Sequence, residues 1–180
     1  MIPDYFRKMR GTTQSPPRVG VSEIIWSWLG GFLGICLVAY LNEAMMEGTG
    51  KVLLVGSFGA SAVLIFGAIK SPLAQPPNLV GGHVISAVIG VAAYKLLPGH
   101  TWLASGLAVA TAIAAMHATK TLHPPGGATA LIAVIGGEKL HHLGYTYAIL
   151  PVGGGALIML VVALLFNNIP KHRRYPEFWI

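Results

Sequence analysis

Charge is the scarcest property of this chain. Only 10% of its 180 residues are Asp, Glu, Lys or Arg, against about 25% in ordinary soluble domains. So few charges cannot cover a water-facing surface, which argues against a soluble enzyme or nucleic-acid binder. Acidic residues are the rarer sign, six against twelve Lys and Arg, for a formal net charge of +6. That surplus would suit nucleic acid, but the basic residues fall between apolar stretches, so no nucleic-acid partner is expected. Cysteine is nearly absent. The single Cys36 lies in an apolar run, cannot form an internal disulfide, and says nothing about redox compartment. Also missing are a phosphate loop, a nucleophile triad and paired intramembrane carboxylates. The expectation is a protein that is not an enzyme and has no cofactor. His141 and His142 are adjacent and do not share a helix face, so no metal site is expected.

Apolar residues, by contrast, make up 54%, with 23 glycines besides. They gather into six segments: Ile24–Leu41, Val52–Ile69, Leu79–Leu97, Trp102–Thr119, Gly126–Gly137 and Tyr145–Phe166. A helical span takes about 20 residues, within a range of 17–25. Five segments qualify; Gly126–Gly137 covers little more than half the hydrocarbon core. Apart from Lys95, near the end of the third, all Asp, Glu, Lys and Arg lie outside these segments, and His83 and His117 are the only histidines inside. Trp26, Trp28, Trp102, Tyr145 and Tyr147 stand near segment starts, as interfacial anchors do. The basic region before Ile24 is long, and the apolar run after it continues to Leu41 with no small-residue cleavage site. A cleavable signal peptide is therefore not expected.

Six crossings with the N-terminus inside place Arg7, Lys8, Arg10, Arg18, Lys70, Lys120, Lys171, Arg173 and Arg174 in the cytoplasm and Lys51, Lys95 and Lys139 outside. If the second and fifth segments were re-entrant, four crossings would remain, and the basic bias would still point inward. Both readings leave both termini cytoplasmic. The division expected is a basic cytoplasmic segment over 1–21, a membrane domain over 22–168 and a basic cytoplasmic tail over 169–180.

The chain also repeats. Gly59–Lys70 reads GASAVLIFGAIK, and Gly127–Lys139 reads GATALIAVIGGEK, an offset of 68 residues. The expected fold class is thus an all-α polytopic membrane protein. Its six hydrophobic segments form two three-segment repeats, inverted if each half crosses three times, with an interrupted second helix in each half. Pairs of interrupted segments in corresponding positions point to a transporter binding site. In the second half, His123-Pro124-Pro125-Gly126-Gly127 predicts an extended approach and then a short helix. In the first, Gly56-Ser57-Phe58-Gly59 breaks the run, with Ser57 as a possible N-cap. Free amides at helix starts attract anions. The expected solute site therefore joins Ser57, Gly59, Ala60 and Ser61 to His123, Pro124, Pro125, Gly126, Gly127, Ala128 and Thr129. The amides of Gly59, Ala60, Gly127 and Ala128 are its principal donors. Asn78, His83 and His117 are candidate pathway residues. Equally, the glycines could serve close helix packing. With few helices to enclose a path, a homo-oligomer in the bilayer is expected.

LHPPGGATALIAVIGG carries the His-Pro-Pro motif that names the HPP family of integral membrane proteins. FGASAVLIFGAIKSPLAQPPNLVGGHVISAVIGV is similar to that family's other long signature. With the flanking segments, the resemblance covers roughly residues 20–168. Members from cyanobacteria and plant plastids are implicated in nitrite transport, so the resemblance implies passage of a small anion, nitrite first. The chain departs from the family in two respects. The family is described with four spans, against six apolar segments here. Where its signature commonly carries a basic residue after Gln-Pro, this chain has Pro77. No plastid transit peptide is evident, which points to a bacterial inner membrane. The competing functions are a channel for a small neutral solute and a non-transporting regulatory or structural membrane subunit.

Overall fold

The computed structural model describes residues 2–46 and 55–179. Among them are eight α-helices and no β-strand. A short α1 (Ile2–Arg7) leads by extended chain to α2 (Val21–Met46). Then come α3 (Ser57–Ala62), which continues as a π-helical turn to Gly67, and α4 (Pro76–Leu96). After these follow α5 (Thr101–Ala118), α6 (Pro124–Ile135), α7 (Glu138–Leu143) and α8 (Gly155–Phe166). A π-helical turn, Ala148–Gly154, leads into α8 around Pro151.

Among the described residues, four stretches are long and apolar enough to cross a bilayer: Val21–Ala44, Pro76–Leu96, Thr101–Ala118 and Ala148–Phe166. Ser57–Gly67 and Pro124–Ile135 are apolar but short. The six apolar segments of the sequence thus resolve into four long helices and two short ones. Val52–Leu54, the start of the second segment, and Lys51 lie outside the described residues. α2 overruns its apolar segment at both ends, so that Glu23 and Glu43 fall within it, and Lys95 lies in the last turn of α4.

Small side chains decide how the helices pack. On α4, Gly82, Ser86 and Gly90 recur every fourth residue and share a face. A Cβ at Gly90 would stand 2.5 Å from the Ala130 carbonyl oxygen, and one at Gly126 would stand 2.7 Å from Ser86 Oγ. The α4 and α6 backbones therefore approach as closely as small residues permit. Ala104, Ala108, Ala112 and Met116 give α5 one buried face against this pair. On α2, Gly30 and Gly34 receive the ring of Phe66, which a Cβ at either would overlap, at 2.5 and 2.8 Å. The glycines of the repeat divide: at Gly136 a Cβ would stand 2.5 Å from Leu140 Cδ1 and 2.6 Å from the Ile132 carbonyl oxygen. At Gly59 and Gly67 an added Cβ meets nothing within 4 Å.

Two sets of helix ends come together. Arg173, after α8, binds Glu23 and Ser27 at the start of α2 and the Phe66 carbonyl at the end of α3. At the other end, Tyr94 of α4 stacks on His141 of α7 at 3.7 Å, and Lys95 lies over the Tyr145 ring. The start of α2, the end of α3 and the end of α8 thus share one face, called here the terminal face.

The expected cytoplasmic tail is only partly a tail. Lys171 and Arg174 are exposed, but Arg173 is 5% exposed and Tyr175 is 2% exposed. The Tyr175 hydroxyl donates to the Ala74 carbonyl at 2.7 Å, and burial raises it above the ordinary phenol range, so it stays a donor. The Glu177 amide donates to Gln75 Oε1.

Candidate functional site

The two short helices lie side by side and run in opposite senses. The first turn of α3 meets the second turn of α6, and the second turn of α3 meets the residue before α6. Ser57 Oγ lies 2.7 Å from Thr129 Oγ1, and Ser61 Oγ lies 2.9 Å from His123 Nε2. His83, from α4, fills the space between. Its Nε2 is 2.7 Å from Ser61 Oγ and its Nδ1 is 2.7 Å from Thr129 Oγ1. His123 Nδ1 donates to the Leu73 carbonyl at 2.8 Å. The two imidazole rings meet edge to face, with centroids 4.9 Å apart. Five polar side chains therefore form one chain of hydrogen bonds, Ser57–Thr129–His83–Ser61–His123, ending on a backbone carbonyl. Ser61, His83, His123 and Thr129 have no exposed surface, and Ser57 has 2%.

The sequence explains this local geometry. Pro76 and Pro124 open α4 and α6 because neither needs an amide in the first turn. His123 precedes two prolines, which hold it extended, with φ −137° and ψ 104°. That conformation turns its ring inward, across the face of α4 made bare by Gly82, where a Cβ would stand 2.6 Å from His123 Cβ. A Tyr147 hydroxyl bond to the Thr129 carbonyl closes the cluster on the α8 side.

Ser57, Ser61, His123 and Thr129 are thus brought together as the repeat implied, and His83 joins them as the bridge. The expected amide donors are placed otherwise. Gly59 and Ala60 are exposed on the outer side of α3, and the amides of Phe58 and Gly59 bond to Val55 O and Gly56 O. Pro124 and Pro125 carry no amide hydrogen, and Gly126 donates to His123 O. The first three residues of α6 therefore offer no free amide. Pro125 and Gly126 are buried against α4. Pro124, Gly127 and Ala128 line an apolar outer groove of about 610 Å³ with Val109, Ile113 and His117. Ser57 is the first residue of α3 rather than its N-cap, which is Gly56, because its hydroxyl is engaged by Thr129.

His117 is exposed and stands apart from the cluster. Asn78 is buried, and its Nδ2 donates to Leu122 O, which fastens the loop before α6 to α4. His141 and His142 do not face one another's ligands: His141 Nε2 reaches Val134 O, and His142 Nδ1 reaches Glu138 O. Among the described residues no group of three His, Cys, Asp or Glu could hold a metal ion.

Sequence reasoning passed over Tyr147, taken for an interfacial anchor but fully buried, and Arg173 with Asn167. Asn167 Nδ2 donates to Ile65 O, and Arg173 Nη2 donates to Phe66 O, both at the C-terminus of the α3 segment. A helix that ends inside the protein leaves carbonyls needing partners, and a cation there also suits the dipole. The sequence carried no signal of this, because Val52–Ile69 reads there as long enough to span.

The family model described as HPP, transmembrane region, matches residues 16–176. The chain belongs to the HPP family. Its HPP domain is 49% identical over 178 residues to a transmembrane protein of Dictyostelium discoideum, a match covering 97% of this chain and 57% of the relative. A second transmembrane protein of the same organism is 44% identical over 183 residues, covering 99% of this chain and 64% of that relative. The chain therefore spans less than two thirds of the length of both. No solved structure matches the HPP domain. With its four long apolar helices, the HPP domain is an integral membrane protein. Both relatives come from a eukaryote, which weighs against the bacterial inner membrane expected from the sequence.

Proposed function

We propose that this HPP domain is a transporter or channel for a small anion, with nitrite the leading candidate, and not an enzyme. One observation carries the reading. In a helix bundle of mostly apolar side chains, five hydroxyl and imidazole groups converge where two short, antiparallel helices lie side by side, and among the described residues they bond to hydroxyls, imidazoles and backbone carbonyls rather than to carboxylates. Polar side chains at membrane depth are costly and mark solute paths more often than packing. Hydroxyl and imidazole N–H groups donate to an anion, and a carboxylate-free site does not repel it. Side-chain donors replace the amide donors of a helix-end site.

We read the chain as crossing six times in two inverted halves, both termini in the cytoplasm. The repeat supports this. Ser61 Oγ lies 3.3 Å from the carbonyl of Ser57, and Thr129 Oγ1 lies 3.3 Å from the carbonyl of Pro125, four residues back in each case. These four positions share the 68-residue offset, on helices of opposite sense. The basic residues of the sequence, nine inside against three outside in a six-crossing reading, support the orientation. Homo-oligomerisation belongs to the same reading, because α2 leaves Ile24, Trp28, Phe32 and Tyr40 exposed.

The test is flux in proteoliposomes of nitrite, nitrate, formate, chloride and urea. Nitrite flux above protein-free vesicles is expected, falling about tenfold or more in Ser61→Ala, the order expected for loss of a buried hydrogen-bonded partner. Thr129→Ser keeps the hydroxyl and should be mild. Urea flux without anion flux, or a Ser61→Ala protein at full rate, overturns the proposal.

A further inference from the structure

Two recesses near the terminal face run into one another. The first, of about 510 Å³, lies between α2 and the α3 segment. Ser27, Gly31 and Ile35 line it from successive turns of α2, and Ala62 and Gly67 line it from the other side. The stacked rings of Trp28 and Phe32, with centroids 5.3 Å apart, also wall it. A Cβ added at Gly31 or Gly67 would meet nothing within 4 Å. These two glycines therefore receive no neighbouring side chain and leave the recess open. The second recess, of about 460 Å³, is polar, with Glu23, Lys70, Ser71, His172 and Arg173 in its lining. Gly67 borders both, and Glu23 and Ser27 stand about one turn apart on α2. Together they form one apolar groove with a polar mouth.

The mouth is basic. Among the described residues, Glu23 is the one carboxylate in its lining, and it is matched by Arg173 at 2.7 Å. Arg173 gives its other donors to Ser27, Asn167 and the Phe66 carbonyl. His172, whose Nε2 lies 3.5 Å from Glu23 Oε2, and Lys70 are both exposed. Around them stand three further exposed cations: Arg18, next to the lining residue Val19, and Lys171 and Arg174, which flank His172 and Arg173. The apolar part has a leaflet's length. From Ser27 to Ile35 it follows α2 for about 12 Å, at 1.5 Å per residue. One leaflet supplies about 15 Å of hydrocarbon, half the thickness of the core.

We infer that this groove binds an anionic phospholipid from the leaflet at the terminal face. One acyl chain lies between α2 and the α3 segment, and the phosphate lies at Lys70 and His172. Basic pockets between membrane helices hold anionic headgroups by the same attraction. The groove between α5 and α6 is of similar size, but His117 is its single titratable lining residue, so it offers a headgroup no such pairing. Ile24 and Tyr40 lie outside the lining, so a seated lipid does not occupy the whole exposed side of α2. The α3 segment also carries Ser57 and Ser61, so the lipid braces the helix that bears part of the buried cluster. Its binding does not depend on what that cluster transports.

The test uses the full chain in detergent and native mass spectrometry. Phosphatidylglycerol and phosphatidylcholine with identical acyl chains are offered in equal amounts. Phosphatidylglycerol should be retained about tenfold over phosphatidylcholine. Lys70→Gln, at an exposed residue, should cut that preference about fivefold, the effect of one basic residue at an anionic surface. Lys139→Gln, at the opposite end, should leave it unchanged. Gly31→Leu fills the groove and should lower phosphatidylglycerol retention about tenfold; Lys70→Gln carries the test if that variant fails to fold. Inorganic phosphate should not raise the melting temperature as phosphatidylglycerol does. Three results would each overturn the inference. Equal retention of the two lipids means ordinary solvation by the bilayer. A phosphate effect as large as that of the lipid means a site for a free anion. Gly31→Leu splitting an oligomer without loss of bound lipid means an interface between copies of the chain.

Discussion

At Gly90 the helix backbone has no room for another atom. A methyl group would meet the Ala130 carbonyl oxygen at 2.5 Å and the Ala130 Cα at 2.9 Å, and backbone cannot swing aside as a side chain does. Gly90→Ala should therefore lower stability by about 1–3 kcal/mol, the cost of overpacking, read as a lower melting temperature in detergent. Gly59→Ala meets nothing within 4 Å and should leave stability unchanged or raise it by about 0.5–1 kcal/mol, because alanine favours a helix. Gly127→Ala meets only Val109 Cγ1 at 3.8 Å and should keep both stability and flux. Glycine in the signature thus has two separate meanings. Some glycines admit a neighbouring backbone, and others merely leave a lipid-facing surface smooth. The residue letter is the same, so only the position of the next helix distinguishes them.

At the scale of elements, the short helices need their ends satisfied within the protein. The start of α6 solves this with prolines that have no hydrogen to place. The end of α3 solves it with Asn167 and Arg173. Arg173 bonds at once to Glu23, Ser27, Asn167 and Phe66 O, so it ties α2, α3 and α8 together. Its side chain is 1% exposed and that of Glu23 is 25% exposed. Replacing it leaves a half-buried carboxylate and a buried carbonyl without partners. Arg173→Met should cost about 3 kcal/mol, measured by thermal unfolding. Arg173→Lys should recover only part, since an ammonium cannot reproduce the planar fork. If the two partners act as a unit, Glu23→Gln combined with Arg173→Met should cost less than the sum of the two changes.

For the whole molecule, the arrangement of ends gives a sidedness test in a Cys36→Ser background, since Cys36 is the one thiol and is exposed. Single cysteines at Gly11, Lys70 and His100, all exposed, should divide two to one. Gly11 and Lys70 should react with an impermeant reagent from the same side, and His100 from the other. If Gly11 and His100 react together, the short helices are re-entrant and the chain crosses four times. Much of this architecture was legible in the sequence. A chain so poor in charge can fold only where lipid covers it, and the six apolar runs and basic connections follow from that. That Ser57 and Ser61 would lie near His123 and Thr129 was also expected, from two similar stretches 68 residues apart. The bridging role of His83, the burial of Tyr147 and the anchoring by Arg173 were not visible. His83 lies 22 residues from Ser61 and 46 from Thr129, and Arg173 lies 150 residues from Glu23. Hydropathy and periodicity describe what each residue prefers as its solvent. Which polar group meets which is set by how closely the backbones approach, and here that distance is fixed by Gly82, Gly90 and Gly126 in the packed bundle.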